Sequence, residues 1–253
     1  NFHLSPQEQI KINYGTFIIH NSRSGYIDTL HYNTILDALK DYGENYEFVP
    51  PCDIPGLNPV EDSRSLEAMY LPKEGYLSPD KILGAFDQIF DQNRNITLID
   101  EFATNVAHLP DSFIIKLSNN DSITCAKLVV AAGSFSQKII DQFPDIAAKI
   151  PRLYSGVGYS FIAENNPDNK ITNIIRTPNR SGACGLHALP CGSNDIYIGA
   201  SNNVFENPEF YVNIGLAHFL LECATEQIDQ NLYKSRIKKW QVGNRPASVD
   251  GFP

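Results

Sequence analysis

Short apolar runs of strand length alternate along this chain with longer segments in which apolar residues recur at helical spacing. This spacing predicts helices over 29–42, 79–90 and 208–229. The second helix has clear start signals, because Ser78 is a typical N-cap and Pro79 a typical first helical residue. The apolar runs predict strands over 15–20, 69–71, 96–99, 102–109, 113–117, 123–130, 153–161, 171–176, 185–189 and 195–200. The proline-rich stretch 50–59 predicts a connection without regular structure.

The order of these elements predicts the fold class. Strands and helices alternate up to about residue 150, and short strands with one long helix follow. One junction is distinctive, since the apolar run 128–130 predicts a buried strand that enters a turn at Gly133 and then a helix through Ile140. Such a helix start presents free N–H groups and the positive end of the helix dipole. We therefore expect a mixed α/β fold with two domains that exchange the chain.

Composition narrows the classes of partner. The formal net charge is -9, so no basic surface is available to neutralise the phosphates of nucleic acid or of an anionic membrane. The five cysteines are an odd number without Cys-x-x-Cys spacing, which argues against a disulfide framework and a zinc site. No apolar stretch is long enough to span a membrane. We expect a cytoplasmic protein with reduced thiols and no bound metal; its oligomeric state cannot be read from the sequence.

The densest motif is segment 243–253, which reads Gly-Asn-Arg-Pro-Ala-Ser-Val-Asp-Gly-Phe-Pro. Proline fixes φ and glycine permits positive φ, so the composition predicts a shaped turn that holds the side chain of Arg245. An always-charged planar guanidinium is well suited to bind a carboxylate. The sequence therefore predicts a carboxylate site at Arg245. No Ser-His-Asp arrangement and no pair of catalytic carboxylates is recognisable.

Four segments together resemble the FAD-dependent amine and amino-acid oxidoreductases, which include D-amino-acid oxidase, glycine oxidase and sarcosine oxidase. The resemblance is clear from about residue 66 to 253 and loose before that. In family order, the segments are 74–79, then 104–106 with 128–136, then 189–190 with 196–201, and finally 243–253. Each motif alone is modest, but the four occur at compatible spacing.

This resemblance implies a partial FAD-binding, Rossmann-like domain interleaved with a substrate domain built on an antiparallel sheet. It assigns segments 1–66 and 151–240 to the substrate domain, and 67–150 and 241–253 to the FAD-binding domain. It also implies oxidation of the C–N bond of a small amine or amino acid by hydride transfer to the flavin. Because the cofactor supplies the chemistry, no catalytic side chain is predicted.

The resemblance also implies roles for individual residues. Val106 is expected at the adenine end of FAD, and the other cofactor contacts are expected from Ala132, Gly133, Phe135, Gly243 and Pro246. Arg245 is expected to pair with the substrate carboxylate, and His187 to lie on the substrate side. Further candidates for the pocket are Arg176, Arg180, Tyr159 and Tyr197.

Two departures from the family pattern keep other functions open. The chain contains no Gly-x-Gly-x-x-Gly motif, which the family uses to hold the FAD pyrophosphate, and lacks the glycine-rich segment that follows the last motif. The sequence is therefore expected to be incomplete at both ends. One alternative is a protein of this family that binds a ligand or partner without turnover. Another is a related flavoenzyme that acts on the aminomethyl group of a modified nucleoside.

Overall fold

The computed structural model describes residues 10–178 and 185–248. Arg180 and the last five residues of the 243–253 motif lie outside these ranges. The described strands are β1 Asn13–Asn21, β2 Glu47–Phe48, β3 Ser65–Tyr76, β4 Ala103–Leu109, β5 Ser112–Leu117, β6 Ser122–Cys125, β7 Leu153–Glu164, β8 Ile174–Arg176, β9 His187–Cys191, β10 Asp195–Gly199, β11 Asn203–Phe205 and β12 Ile237–Ser248. The described α-helices are α1 Tyr26–Asp41, α2 Pro79–Gln92, α3 Ser136–Ile140, α4 Pro144–Ala147 and α5 Ile214–Gln227.

Two sheets organise the described chain. The large sheet has the order β11-β7-β10-β9-β8-β1-β3-β2, and β12 pairs with β7 as well. Its neighbouring strands are antiparallel except β1 and β8, which run parallel. The small sheet is antiparallel, with the order β4-β5-β6. The mixed α/β class with a dominant antiparallel sheet is therefore confirmed.

One face of the large sheet holds the main hydrophobic core. Along β7 the large residues Val157, Tyr159 and Phe161 are buried, and every second residue belongs to the other face. Helix α5 packs on this core through Leu220 and Ala224. Tyr159, a candidate for the pocket, is only 1% exposed and lies in this core. The residues that alternate with these core residues therefore point to the opposite face of the sheet.

The opposite face is covered by a helix at one end. Ile18 of β1 packs with Met69 and Leu71 of β3 and with Tyr32 of α1. The adjoining part of this face, on β8, β9, β10, β7 and β12, carries polar and small residues instead. This change of character along one face marks the candidate site.

Several element predictions need correction. The predicted strand 96–99 is irregular, and the predicted strand 123–130 ends at Cys125. Leu98 is 66% exposed and Val129 is 85% exposed, because neither segment finds a partner strand among the described residues. The predicted helix 208–229 begins only at Ile214, where the side chain of Asn213 accepts hydrogen bonds from the next turn.

The predicted turn at 243–253 is wrong for its described part. Residues 243–248 belong to β12, which pairs with β7 from Ile237 to Ser248. Pro246 is accommodated because β12 is an edge strand in the described sheet, where a missing N–H donor is tolerated. Arg245 is therefore held by a sheet ladder rather than by a turn.

The division into domain segments stays a prediction. The expected boundary between residues 66 and 67 falls inside β3, which pairs with β1 along most of its length. Residues 103–125 form the separate small sheet. Across the described ranges, no disulfide involves Cys52, Cys125, Cys191 or Cys223, and no helix there is long and apolar enough to cross a membrane.

Candidate functional site

A row of paired residues crosses the large sheet and defines the site. The register places Arg176 of β8 beside His187 of β9, and His187 beside Gly199 of β10. The row continues through Ser160 of β7 to Gln241 of β12. Residues directly opposite each other in neighbouring strands share a face, so their side chains point the same way. This face is the one opposite the α5 core.

Small residues form the middle of this face, and we call them the small-residue floor. They alternate along β7 with the large core residues, which is the pattern of a strand with one tightly restricted face. Both Gly158 and Gly199 are buried. The floor consists of Gly156, Gly158, Ser160, Gly199 and Gly243.

Two polar side chains lie directly on the floor. A Cβ added to Gly158 would stand 2.6 Å from Nη2 of Arg245, and one added to Gly199 would stand 2.7 Å from the hydroxyl oxygen of Tyr197. Nη2 of Arg245 also donates a 3.0 Å hydrogen bond to the carbonyl oxygen of Ser201. The glycines are therefore required here because any side chain would displace the guanidinium or the phenol.

An ion pair closes the other end of the row. Nε and Nη2 of Arg176 bind the two carboxylate oxygens of Glu74 at 3.0 and 3.1 Å. Beside it, the Tyr76 hydroxyl donates a 2.9 Å hydrogen bond to the carbonyl of Pro190, which ties β3 to β9. The end of β3 thus crosses toward β8 and β9 and frames His187.

His187 is held in its neutral form by this environment. Burial lowers the pKa of its imidazole below the usual value of about 6.5, and the nearby Arg176 guanidinium lowers it further. Glu74 and the hydrogen bonds with the Gly185 and Gly199 backbone oppose this shift only in part. At neutral pH the imidazole can therefore accept a hydrogen bond with one nitrogen and donate one with the other.

We expect this shift to make folding stability depend on pH. Because the folded pKa is depressed, the unfolded chain binds the proton more tightly, so stability is full above pH 6.5 and declines as pH falls through the folded pKa. His187→Gln should flatten this decline. Urea midpoints measured at pH 7.5 and pH 5.0 for both proteins test it, and an equal decline in both would contradict it.

The expected cofactor residues lie in four places. Gly243 belongs to the small-residue floor. The loop of Ala132, Gly133 and Phe135 contacts β12 near the floor, since the adjacent Ser134 hydroxyl donates to the Asn244 carbonyl at 3.4 Å. Gly133 is exposed and adopts a φ of 57°, a backbone conformation that glycine favours.

The remaining two expected cofactor residues do not face the floor. Pro246 follows Trp240 and Val242 in the alternation of β12, so it belongs to the core-side face. Val106 is buried in β4 of the small sheet, where its N–H donates to the Gln142 side chain at 2.7 Å. The described structure therefore joins Arg245, His187 and Gly243 on one face and places Val106 on the other sheet.

An apolar cavity of about 470 Å³ lies on the small sheet beside α3. Its lining includes His108 and Phe113 of the sheet and Ile139, Ile140 and Phe143 of the helical side. None of the six expected cofactor residues belongs to its lining. The cavity is thus distinct from the floor, and the polar groups that could orient a substrate are concentrated at the floor.

Sequence reasoning missed two features of the site. Glu74 and its partner Arg176 are 102 residues apart, so no local pattern indicates the pair. The floor did have a signal, because Gly156, Gly158 and Ser160 alternate with Val157 and Tyr159, a two-residue period typical of a strand with one crowded face.

The floor fits a flat cofactor ring. Its glycines let the Arg245 guanidinium and the Tyr197 phenol lie flat against the backbone, so a planar ligand would lie above a flat and polar surface. The pyrophosphate-binding Gly-x-Gly-x-x-Gly motif is not in this sequence. The fit therefore applies to the ring of FAD and to the substrate beside it, and not to the pyrophosphate.

Comparison with known proteins agrees with this geometry. A protein-family model described as "FAD dependent oxidoreductase" matches residues 15–253. No curated protein matches the sequence. Glycine oxidase from Geobacillus kaustophilus superposes with a TM-score of 0.75 at 15% identity, covering 96% of this chain and 62% of that one. Glycine oxidase from Bacillus cereus ATCC 14579 gives 0.74 at 18% identity, with 96% and 63% covered.

A dehydrogenase has the same fold. L-proline dehydrogenase from P. horikoshii gives a TM-score of 0.73 at 11% identity, covering 98% of this chain and 64% of that one. The chain thus spans 62% to 64% of the length of these three enzymes. At such identities, the superpositions establish the common fold.

Proposed function

We propose, from the premise that this chain belongs to the family of FAD-dependent oxidoreductases, that it oxidises the C–N bond of a small amine or amino acid that carries a carboxylate. The single observation that carries the proposal is the Arg245 guanidinium, which lies over Gly158 on the small-residue floor. A cation fixed on this floor can pair with the carboxylate of an anionic substrate and hold it in one orientation. The structural relatives include glycine oxidases and an iminodiacetate oxidase, which act on small amines of this kind.

Arg245 supplies the binding energy and the orientation. Its Nη2 donates to the Ser201 carbonyl, which fixes the guanidinium on the floor, and the planar fork of a guanidinium matches the two oxygens of a carboxylate. A bidentate pair fixes both the position and the rotation of the carboxylate, and thereby the carbon that loses hydride. Arg245 is thus the residue expected to dominate recognition.

His187 and Tyr197 face the substrate nitrogen in this proposal. The neutral imidazole of His187 can accept a hydrogen bond from the amine and thereby orient the nitrogen. The Tyr197 hydroxyl lies over Gly199, and Gly199 is the residue directly opposite His187 in the sheet. This hydroxyl can donate or accept a hydrogen bond. The two groups bracket the place where the nitrogen would lie.

FAD, when bound, supplies the two-electron acceptor. Gly243 and the loop at Gly133 are the residues of this chain expected to lie against it. The cytoplasmic location, the adenine contact of Val106, and the contacts of Ala132, Phe135 and Pro246 with FAD remain predictions.

The first experiment is a visible absorption titration of the purified chain with FAD, followed by gel filtration. We expect flavin bands that remain with the protein and bleach on anaerobic addition of a reactive amine or amino acid. The screen should contain glycine, N-methylglycine, D- and L-amino acids, and amines without a carboxylate as the control set. Retained flavin without bleaching by any compound would favour the alternative in which this family member binds a ligand without turnover.

A further inference from the structure

In the ion pair between Glu74 and Arg176, a carboxylate of the protein itself neutralises the positive charge of Arg176. Both contacts are short and parallel, as in a bidentate pair, at 3.0 and 3.1 Å. The side chains are 20% and 35% exposed, so the pair is only partly open to water. Arg176 is therefore a preformed carboxylate site that the chain already fills.

This pair lies on the same face as Arg245, but the row that begins at Arg176 reaches β7 at Ser160, two residues from Gly158. The Arg245 guanidinium lies over Gly158 of β7, and three strand spacings of about 4.8 Å separate β7 from β8, which carries Arg176. With the two-residue displacement along β7 included, the backbones of Gly158 and Arg176 are about 16 Å apart, and both arginine side chains are long enough to shorten the gap. A ligand with two carboxylates three or so carbons apart is the size that this arrangement could bridge.

We propose that Glu74 determines substrate specificity by occupying Arg176, so that the site accepts amines and amino acids with a single carboxylate and discriminates against those with a second anionic group. The proposal rests on the function proposed above. A dicarboxylate must displace Glu74 from Arg176 to be paired at both ends. The displaced carboxylate would then stay partly buried beside a second anion, which is unfavourable on both counts.

The test is the variant Glu74→Gln, which keeps the volume and removes the charge. We expect its affinity for glutarate to rise at least about tenfold over the original chain, with its affinity for butyrate changed less than twofold, both measured by calorimetric titration in the presence of FAD. With turnover, the ratio of kcat/KM for acidic over neutral amino acids should rise in parallel.

Two further variants serve as controls. Glu67→Gln removes the same charge from the same strand, β3, at an exposed position, and should leave both affinities unchanged. The double variant Glu74→Gln with Arg176→Gln should lose the gain for glutarate, which separates a specific site from a general change in charge. Circular dichroism of each variant establishes that it is folded.

The outcomes distinguish this proposal from the proposed function. A tighter glutarate complex without oxidation of any amine would support the role of Glu74 and overturn the oxidase assignment. Amine oxidation with an unchanged preference for glutarate over butyrate would overturn the role of Glu74 alone. Failure of the original chain and Glu74→Gln to bind glutarate at all would also overturn it, as would an equal gain in Glu67→Gln.

Discussion

Replacing Arg245 by alanine should lower kcat/KM for carboxylate-bearing amines by about 30-fold or more, since truncating one partner of a close charge pair costs about 2–5 kcal/mol and each 1.4 kcal/mol is tenfold. Lysine at this position keeps the charge but loses the planar fork, so the kcat/KM of Arg245→Lys should lie between those of the original chain and Arg245→Ala. Steady-state kinetics with N-methylglycine or a D-amino acid measures the effect. The loss should appear mainly in KM if the carboxylate is bound equally in ground and transition states.

The matched control for this prediction is the substrate. An amine without a carboxylate should be oxidised at nearly the same rate by the Arg245 variants and the original chain, because it never uses the guanidinium. An equal loss for both substrate classes would show that Arg245 acts structurally, through its hydrogen bond to the Ser201 carbonyl.

A second variant avoids altering Arg245 at all. In Gly158→Ala, the new Cβ meets Nη2 at 2.6 Å and should reproduce a smaller loss with the same substrate dependence.

Much of the large sheet could be predicted because the residue pattern within each strand is itself typical of a strand. In β7, Val157, Tyr159 and Phe161 alternate with small residues, and the strand needs only its period of two to be recognised. The start of helix α2 was predicted for a similar local reason, since Pro79 occupies the first helical position, although the Ser78 side chain makes no capping hydrogen bond. The fold class followed from these local patterns and from the family resemblance.

Segments whose structure depends on distant partners could not be predicted. Residues 96–99 and 128–130 have the composition of buried strands, but a strand exists only where a neighbour supplies ladder hydrogen bonds, and the described residues supply none to them. At Arg245 the error was the opposite. Glycine and proline suggested a turn, whereas pairing with β7 imposed a strand on the described part of that motif.

The candidate site was predicted in its parts but not in its arrangement. Arg245 and His187 were chosen from resemblance and chemistry, and nothing in the sequence indicates that the register Arg176–His187–Gly199–Ser160 aligns them on one face. Glu74 was not chosen at all. Its importance arises from a contact with Arg176 that only the crossing of β3 toward β8 creates.

Gly56→Ala should lower the free energy of unfolding by about 2–5 kcal/mol through left-handed backbone strain and overpacking. Gly56 has a φ of 81° and is buried, and a Cβ there would lie 2.4–2.5 Å from Ile171, including its backbone, which cannot move aside cheaply. Its loop is also pinned, because the Gly56 N–H donates to the Asn169 side chain. Urea unfolding followed by circular dichroism measures the loss.

Gly43→Ala is the matched control, since it separates backbone strain from packing. Gly43 has a similar φ of 65°, but nothing lies within 4 Å of the position that its Cβ would occupy. Gly43→Ala should therefore lower the free energy of unfolding only by the cost of the left-handed conformation, about 1–2 kcal/mol. The difference between the two variants isolates the contact with Ile171, which leads directly into β8 and Arg176. Equal losses in the two variants would mean that the 50–59 connection yields to the added methyl group and does not support β8 rigidly.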